Sequence, residues 1–246
     1  MYFHAQTIIQ LINHLRNKHY SSEEIILVIR SHRLAVSLFA GQFQSSGKTQ
    51  IEHGVGTASV LCSLELPAEL VAAGIVHNVY GTGDFGDGKT GVSSLRRRMV
   101  RKALGNKVEE YVHGFFTSRA RLRKLSVSQI DALSEIGRGV MLLSLAEQLD
   151  HHIDLGRIYH RRKKETYQKF IRQKRDTMFE LAERLGFPAL ASELDRVFRE
   201  TLSTEIPVEI LNELGPDTHH TVAPNSYRKN RSKKNHPRPV LKKRTK

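Results

Sequence analysis

Apolar residues return at helical spacing along most of the chain: Ile8, Ile9, Leu11, Ile12 and Leu15, then Ile25, Ile26, Val28 and Ile29, and far downstream Leu142, Leu143, Leu145 and Leu149. Steps of three and four gather each set on one helix face. No stretch shows the convincing alternation of apolar and polar residues that a half-buried strand requires. Ser, Gly and Pro interrupt the pattern at Ser21-Ser22, residues 44–50, residues 81–91, Gly105-Asn106, Gly137 and residues 186–188, where helices are expected to stop and start. The pattern predicts an all-α body of roughly eight to ten helices, with a helical extension over residues 1–30 and a helical domain over 31–215.

The most glycine-rich stretch is GTGDFGDGKTG, residues 81–91. A phosphate-cradling loop follows a strand, and none is predicted here, so the stretch reads as a flexible loop at the rim of any site built around His77 and Asn78. From residue 216 onward the composition changes. Basic clusters such as Arg228-Lys229, Lys233-Lys234 and Lys242-Lys243-Arg244 occur with Pro and Asn and almost no apolar residues. Residues 216–246 are therefore expected to form a disordered basic tail that carries most of the formal net charge of +14 and is suited to nucleic acid or simply to solubility. The chain of 246 residues, 39% hydrophobic, can bury a sizeable core. With one cysteine, Cys62, and no secretory leader or membrane-length apolar run, it is expected in the cytoplasm and away from membranes.

Candidate chemistry lies in three places. His53 is expected just before a helical segment. An apolar helix over residues 68–76 ends in His77-Asn78. Far downstream, Glu147, Asp150, His151 and Asp154 share a face of one helix at spacings of three and four. Imidazoles and carboxylates from separate helices can converge on a divalent cation inside a bundle, although acidic residues at helical spacing more often form a solvated stripe. Basic residues Arg96, Arg97, Arg98 and Arg101, and the run Arg119, Arg121, Arg123 and Lys124, are available as phosphate contacts or as a solvated helix face.

Four stretches in order resemble the RelA/SpoT-type guanosine tetraphosphate hydrolases of the HD-domain superfamily: residues 33–53, ending in His53; LVAAGIVHNVYGT, residues 70–82; LGNKVEEYVHGFFTSR, residues 104–119; and LLSLAEQLDHHIDL, residues 142–155. FELAERLGFPALASELDRVF, residues 179–198, is similar to the helical pair closing that domain. The resemblance implies an HD-domain-like helical bundle and a metal site of His53, His77, Asn78 and Glu147. In it Asn78 replaces the aspartate of the His-Asp pair and Glu147 replaces the final aspartate. It implies manganese, with iron or zinc as alternatives for so His-rich a set. Gln44, Ser46 and His151 stand in the family's ligand-contacting stretches, with Gln44 in place of an arginine and His151 in place of an asparagine. Gly81 and Thr82 occupy the positions of the acidic pair that helps activate water, and neither can act as a carboxylate base. Asp84 and Asp87, in the following loop, are candidates for a displaced carboxylate. The expectation is a protein that binds a phosphorylated nucleotide-like ligand at a weakened metal site. The alternatives are an active metal-dependent phosphohydrolase and a nucleic-acid-associated protein acting through its tail.

Overall fold

The nine residues AELVAAGIV form α4 (Ala68–Val76), in which every residue but Glu69 is buried. A helix that is apolar on all sides must be surrounded, and four others surround it: α2 (Ser22–Phe39), α3 (Gln50–Ser63), α7 (Asn106–Leu122) and α8 (Glu135–Ile153). The computed structural model describes residues 4–44, 46–122, 130–159, 164–213 and 220–221. Within them α1 (Ile8–Asn17) packs on α3, while α5 (Val79–Thr82) and α6 (Ser94–Leu104) extend the bundle towards α7. Beyond α8, α9 (Lys164–Arg184) and α10 (Pro188–Ser203) pair with one another, and α11 (Val208–Glu213) follows. Among the described residues the fold is all-α apart from a minimal pairing of β1 (Gln42–Phe43) with β2 (His220–Thr221) and an isolated bridge between Phe43 and Thr49.

Local signals start these helices. Thr7, Ser21 and Thr49 each accept the backbone N–H three residues on, and Gln10, Glu24 and Glu52 reciprocate, giving three capping boxes. The box at Thr49 begins α3 at Gln50, so His53 lies in the first turn of the helix rather than ahead of it. Gly137 does not break the chain either. It sits in the first turn of α8, where its N–H is taken by the Ser134 side chain.

Glycine lets the central helices touch. A Cβ at Gly54 of α3 would lie 2.3 Å from the Ile75 carbonyl of α4, and one at Gly74 of α4 would lie 3.0 Å from the Ala58 Cα. Neither glycine needs unusual backbone angles; each is required because two backbones are closer than any side chain permits.

The basic residues of α6 serve the fold. Arg97 and Arg101 grip the buried carboxylate of Glu109 at 2.6 and 2.8 Å, and Tyr80 donates to it at 2.9 Å. Arg96 is buried under the glycine-rich loop, bonding the Gly91 carbonyl at 2.7 Å and Asp87 at 2.6 Å. These contacts hold the loop expected to be flexible. Residues 83–90 do carry the G-x-x-x-x-G-K-T spacing of a phosphate-binding loop, but they follow helix α5 and end short of α6. That loop type needs a strand before it and a helix opening on its Lys-Thr pair. Of the other basic candidates, Arg98 is exposed, and the side chains of Arg119, Arg121, Arg123 and Lys124 lie outside the described residues.

His220 and Thr221 pair with Phe43 and Gln42, so two residues of the expected free tail are held beside the loop before α3. The tail's basic clusters, and with them its expected attraction to nucleic acid, lie outside the described residues. No helix among the described residues is long and apolar enough to cross a membrane.

Gly54→Ala should reduce unfolding free energy by about 1–3 kcal/mol through overpacking, measured by urea denaturation. An unchanged midpoint would mean that α3 and α4 do not approach as closely as described.

Candidate metal centre

His53 projects from the first turn of α3, His77 caps the C-terminus of α4, and Glu147 lies in the middle of α8. All three are buried, at 0%, 1% and 4% exposure. One ligand atom from each lies within 4.8 Å of the others, a grouping that can hold a metal ion. Sequence separation gave no hint of the closeness; the packing of α3 and α8 around α4 produces it.

The rings are held by their outer nitrogens. His77 Nδ1 is 2.7 Å from the Gly74 carbonyl. A carbonyl only accepts, so Nδ1 carries the proton and donates. His53 Nδ1 is 2.6 Å from Oδ2 of Asp150. Burial pushes the Asp150 carboxyl upward, but His4, His53 and Lys48 outweigh it and hold the group well below the usual carboxylate range. Asp150 is therefore ionised and accepts from His53. The two Nε2 atoms face each other at 3.1 Å, a hydrogen bond when one of them carries a proton and a pair of inward lone pairs when neither does. Two lone pairs at that distance repel unless a proton or a cation lies between them.

His151 completes the cluster. Its ring stacks on that of His53 at 4.3 Å, and its Nε2 is 3.5 Å from Oε1 of Glu147. Burial, followed by the nearby Arg157 charge, holds His151 well below its ordinary value and pushes its neighbour His152 down to about 3. Both are neutral imidazoles at physiological pH.

A cavity of about 430 Å³ opens beside the cluster. Glu147, His151, Asn78, Gln44 and Thr82 line the side next to the cluster. Gln44 is 3% exposed, and its side chain reaches Gln50 at 3.4 Å. The structure thus brings together most of the residues singled out in the sequence: three form the cluster, and Asn78, Gln44, His151 and Thr82 border the adjoining space. Ser46 is placed differently, against Gly156 and not on the cavity wall. Gly81 sits in α5, where an added Cβ would meet nothing within 4 Å.

The expected acidic face of α8 divides. Glu147 and Asp150 point inward and are buried, whereas the Asp154 side chain is 45% exposed at the helix end. Asp84 and Asp87 are not among the residues that line the cavity. Asp84 accepts from the Gly86 N–H at 2.8 Å, and Asp87 accepts from the Lys89 N–H at 3.0 Å and from Arg96.

Sequence reasoning missed the far wall. Tyr167, Phe170, Lys174, Thr177, Met178 and Leu181 face the cavity from α9, and Arg157 joins them with its guanidinium 4.5 Å from the centre of the Tyr167 ring. Their steps of three, four, three, one and three make a single helical stripe. A lysine within a mostly apolar and aromatic stripe was the available signal.

Residues 35–119 match the model of a family described as a domain of unknown function (DUF6817). The matched span contains His53, His77 and Asn78 and stops before Glu147. No curated protein matches the chain.

Proposed function

We propose that this protein holds a divalent cation among His53, His77 and Glu147, with the Asn78 amide oxygen available as a further donor, and binds a phosphorylated nucleotide-like ligand in the adjoining cavity. The observation that carries the reading is the grouping of two imidazoles and a carboxylate from three helices, all buried, with one ligand atom from each within 4.8 Å of the others. The order of these residues, and the resemblance of their flanking sequences to the RelA/SpoT-type HD hydrolases, support the same conclusion. That resemblance favours manganese over iron or zinc, and a donor set of two imidazoles, a carboxylate and an amide suits such an ion.

The cavity supports the ligand class. When bound, the cation supplies a Lewis-acid contact for a phosphate oxygen. Arg157 and Lys174 add cationic groups, while Tyr167, Phe170 and Met178 offer flat or apolar surface for a base. Hydrolysis would also need a group to take a proton from water. Gly81 and Thr82 supply none, and Asp84 and Asp87 are engaged in their loop. Binding without turnover is therefore the leading reading. One observation favours an active phosphohydrolase instead: His151 is a neutral imidazole on the cavity wall beside Glu147, able to accept a proton from water although burial weakens it as a base.

Purified protein equilibrated with manganese should hold close to one ion per chain by elemental analysis. His77→Ala and Glu147→Gln should weaken uptake by more than the roughly 10- to 100-fold typical of changes outside the ligand shell. Equal uptake by wild type and His77→Ala would remove this site from consideration.

With guanosine tetraphosphate as the probe, calorimetry should show binding that depends on manganese, and a pyrophosphate-release assay should show no turnover. Because Gly81 has open space around it, Gly81→Glu with Thr82→Asp should restore a carboxylate pair and raise hydrolysis above the wild-type level. Turnover by the wild type that is lost in His151→Ala would replace the binding-only reading with the enzyme.

A further inference from the structure

Asp150 is fully buried in α8, one turn beyond Glu147. An ionised carboxylate in such a place costs several kcal/mol unless its oxygens are well partnered, and the two oxygens here have different partners. Oδ2 takes the His53 Nδ1 proton at 2.6 Å. Oδ1 lies 3.1 Å from Lys48 Nζ and 3.0 Å from His4 Nε2. Lys48 is itself tied to Asp154 at 2.9 Å. One oxygen orients the ring, and the other lies against Lys48 of the loop before α3 and His4 of the N-terminal segment.

Space has been left for this arrangement. A Cβ at Gly56 would lie 1.8 Å from Asp150 Oδ1 and 3.1 Å from Cε1 of His4, so only glycine leaves room for both side chains. The N-terminal segment is pinned at the next residue, where the buried Ala5 donates its N–H to Ser59 Oγ at 2.9 Å. His4 therefore reaches Asp150 from a backbone fastened to the same helix that carries His53.

We propose that Asp150 is a positioning residue for the metal centre, and that Lys48 and His4 hold it so that His53 keeps its proton on Nδ1 and its lone pair on Nε2 facing His77. This rests on the metal-binding reading above. It adds that a segment outside the matched family region, residues 4–7, contributes to the centre through His4. A carboxylate behind a ligating histidine fixes tautomer and ring orientation and strengthens the ligand. Lys48 alone could neutralise Asp150. The short contact to His53 and the glycine-lined pocket for His4 are what a purely neutralising role leaves unexplained.

The test has two readouts on the full chain. In metal-free protein with 15N-labelled histidine, the ring-nitrogen shifts of His53 should show the Nδ1–H tautomer. Asp150→Asn should retain it, because the amide oxygen still accepts, whereas Asp150→Ala should yield a mixture. Manganese affinity by equilibrium dialysis should fall about 10- to 100-fold in Asp150→Ala and less in Asp150→Asn, with His4→Ala and Lys48→Met also reduced. If Asp150→Ala does not fold, the peripheral variants His4→Ala and Lys48→Met decide the matter on the same two readouts. Wild-type tautomer and wild-type affinity in the folded variants would overturn the proposal. A wild type that takes up no manganese defeats the metal reading instead, and the tautomer measurement still decides whether Asp150 orients the ring.

Discussion

Two imidazole nitrogens, 3.1 Å apart in a buried space, set the terms for the rest of this structure. Each ring has its outer nitrogen committed, His77 to the Gly74 carbonyl and His53 to Asp150. Neither ring can turn its proton inward without giving up a buried hydrogen bond, a loss of roughly 1–3 kcal/mol. The facing of the two Nε2 atoms is thus a property of the fold, and a proton or a cation between them satisfies both.

Holding that pair requires three helices to meet at close range, and the sequence meets the need with small residues. α4 is an apolar rod with Ala72, Ala73 and Gly74 at its centre, and α3 presents Gly54 and Gly56 immediately after His53. Gly54 admits the α4 backbone and Gly56 admits Asp150 from α8. The run His53-Gly-Val-Gly therefore encodes both a ligand and the clearances that bring its partners near. Farther out, Glu109 with Arg97, Arg101 and Tyr80 locks α5, α6 and α7 together beside the centre. Arg97 and Arg101 are thereby committed to the fold, and no arginine of α6 lines the cavity.

Much of the helical body was legible because apolar spacing and capping residues are local signals. The breaks at Ser21 and at residues 186–188 coincide with helix boundaries, while Gly137 misled because a glycine in a first turn looks like a glycine between helices. Capping by Thr49 and Glu52 was visible in the sequence and would have put His53 inside α3. For the site, helical spacing placed Glu147, Asp150 and His151 on one face but could not say whether that face met water or the core. The inward answer comes from the packing of α8 against α3 and α7 around the apolar α4. His4, Lys48 and the α9 stripe were not legible as parts of one site, since tertiary packing alone brings residues so distant in sequence together.

Anomalous diffraction from a crystal of the protein soaked in manganese tests the central claim most directly. The account predicts one strong peak in contact with Nε2 of both His53 and His77 and with the Glu147 carboxylate, and with no change in which atoms bond Nδ1 of either ring. A map with no peak there, with the two Nε2 atoms still within hydrogen-bonding distance of each other, would contradict it.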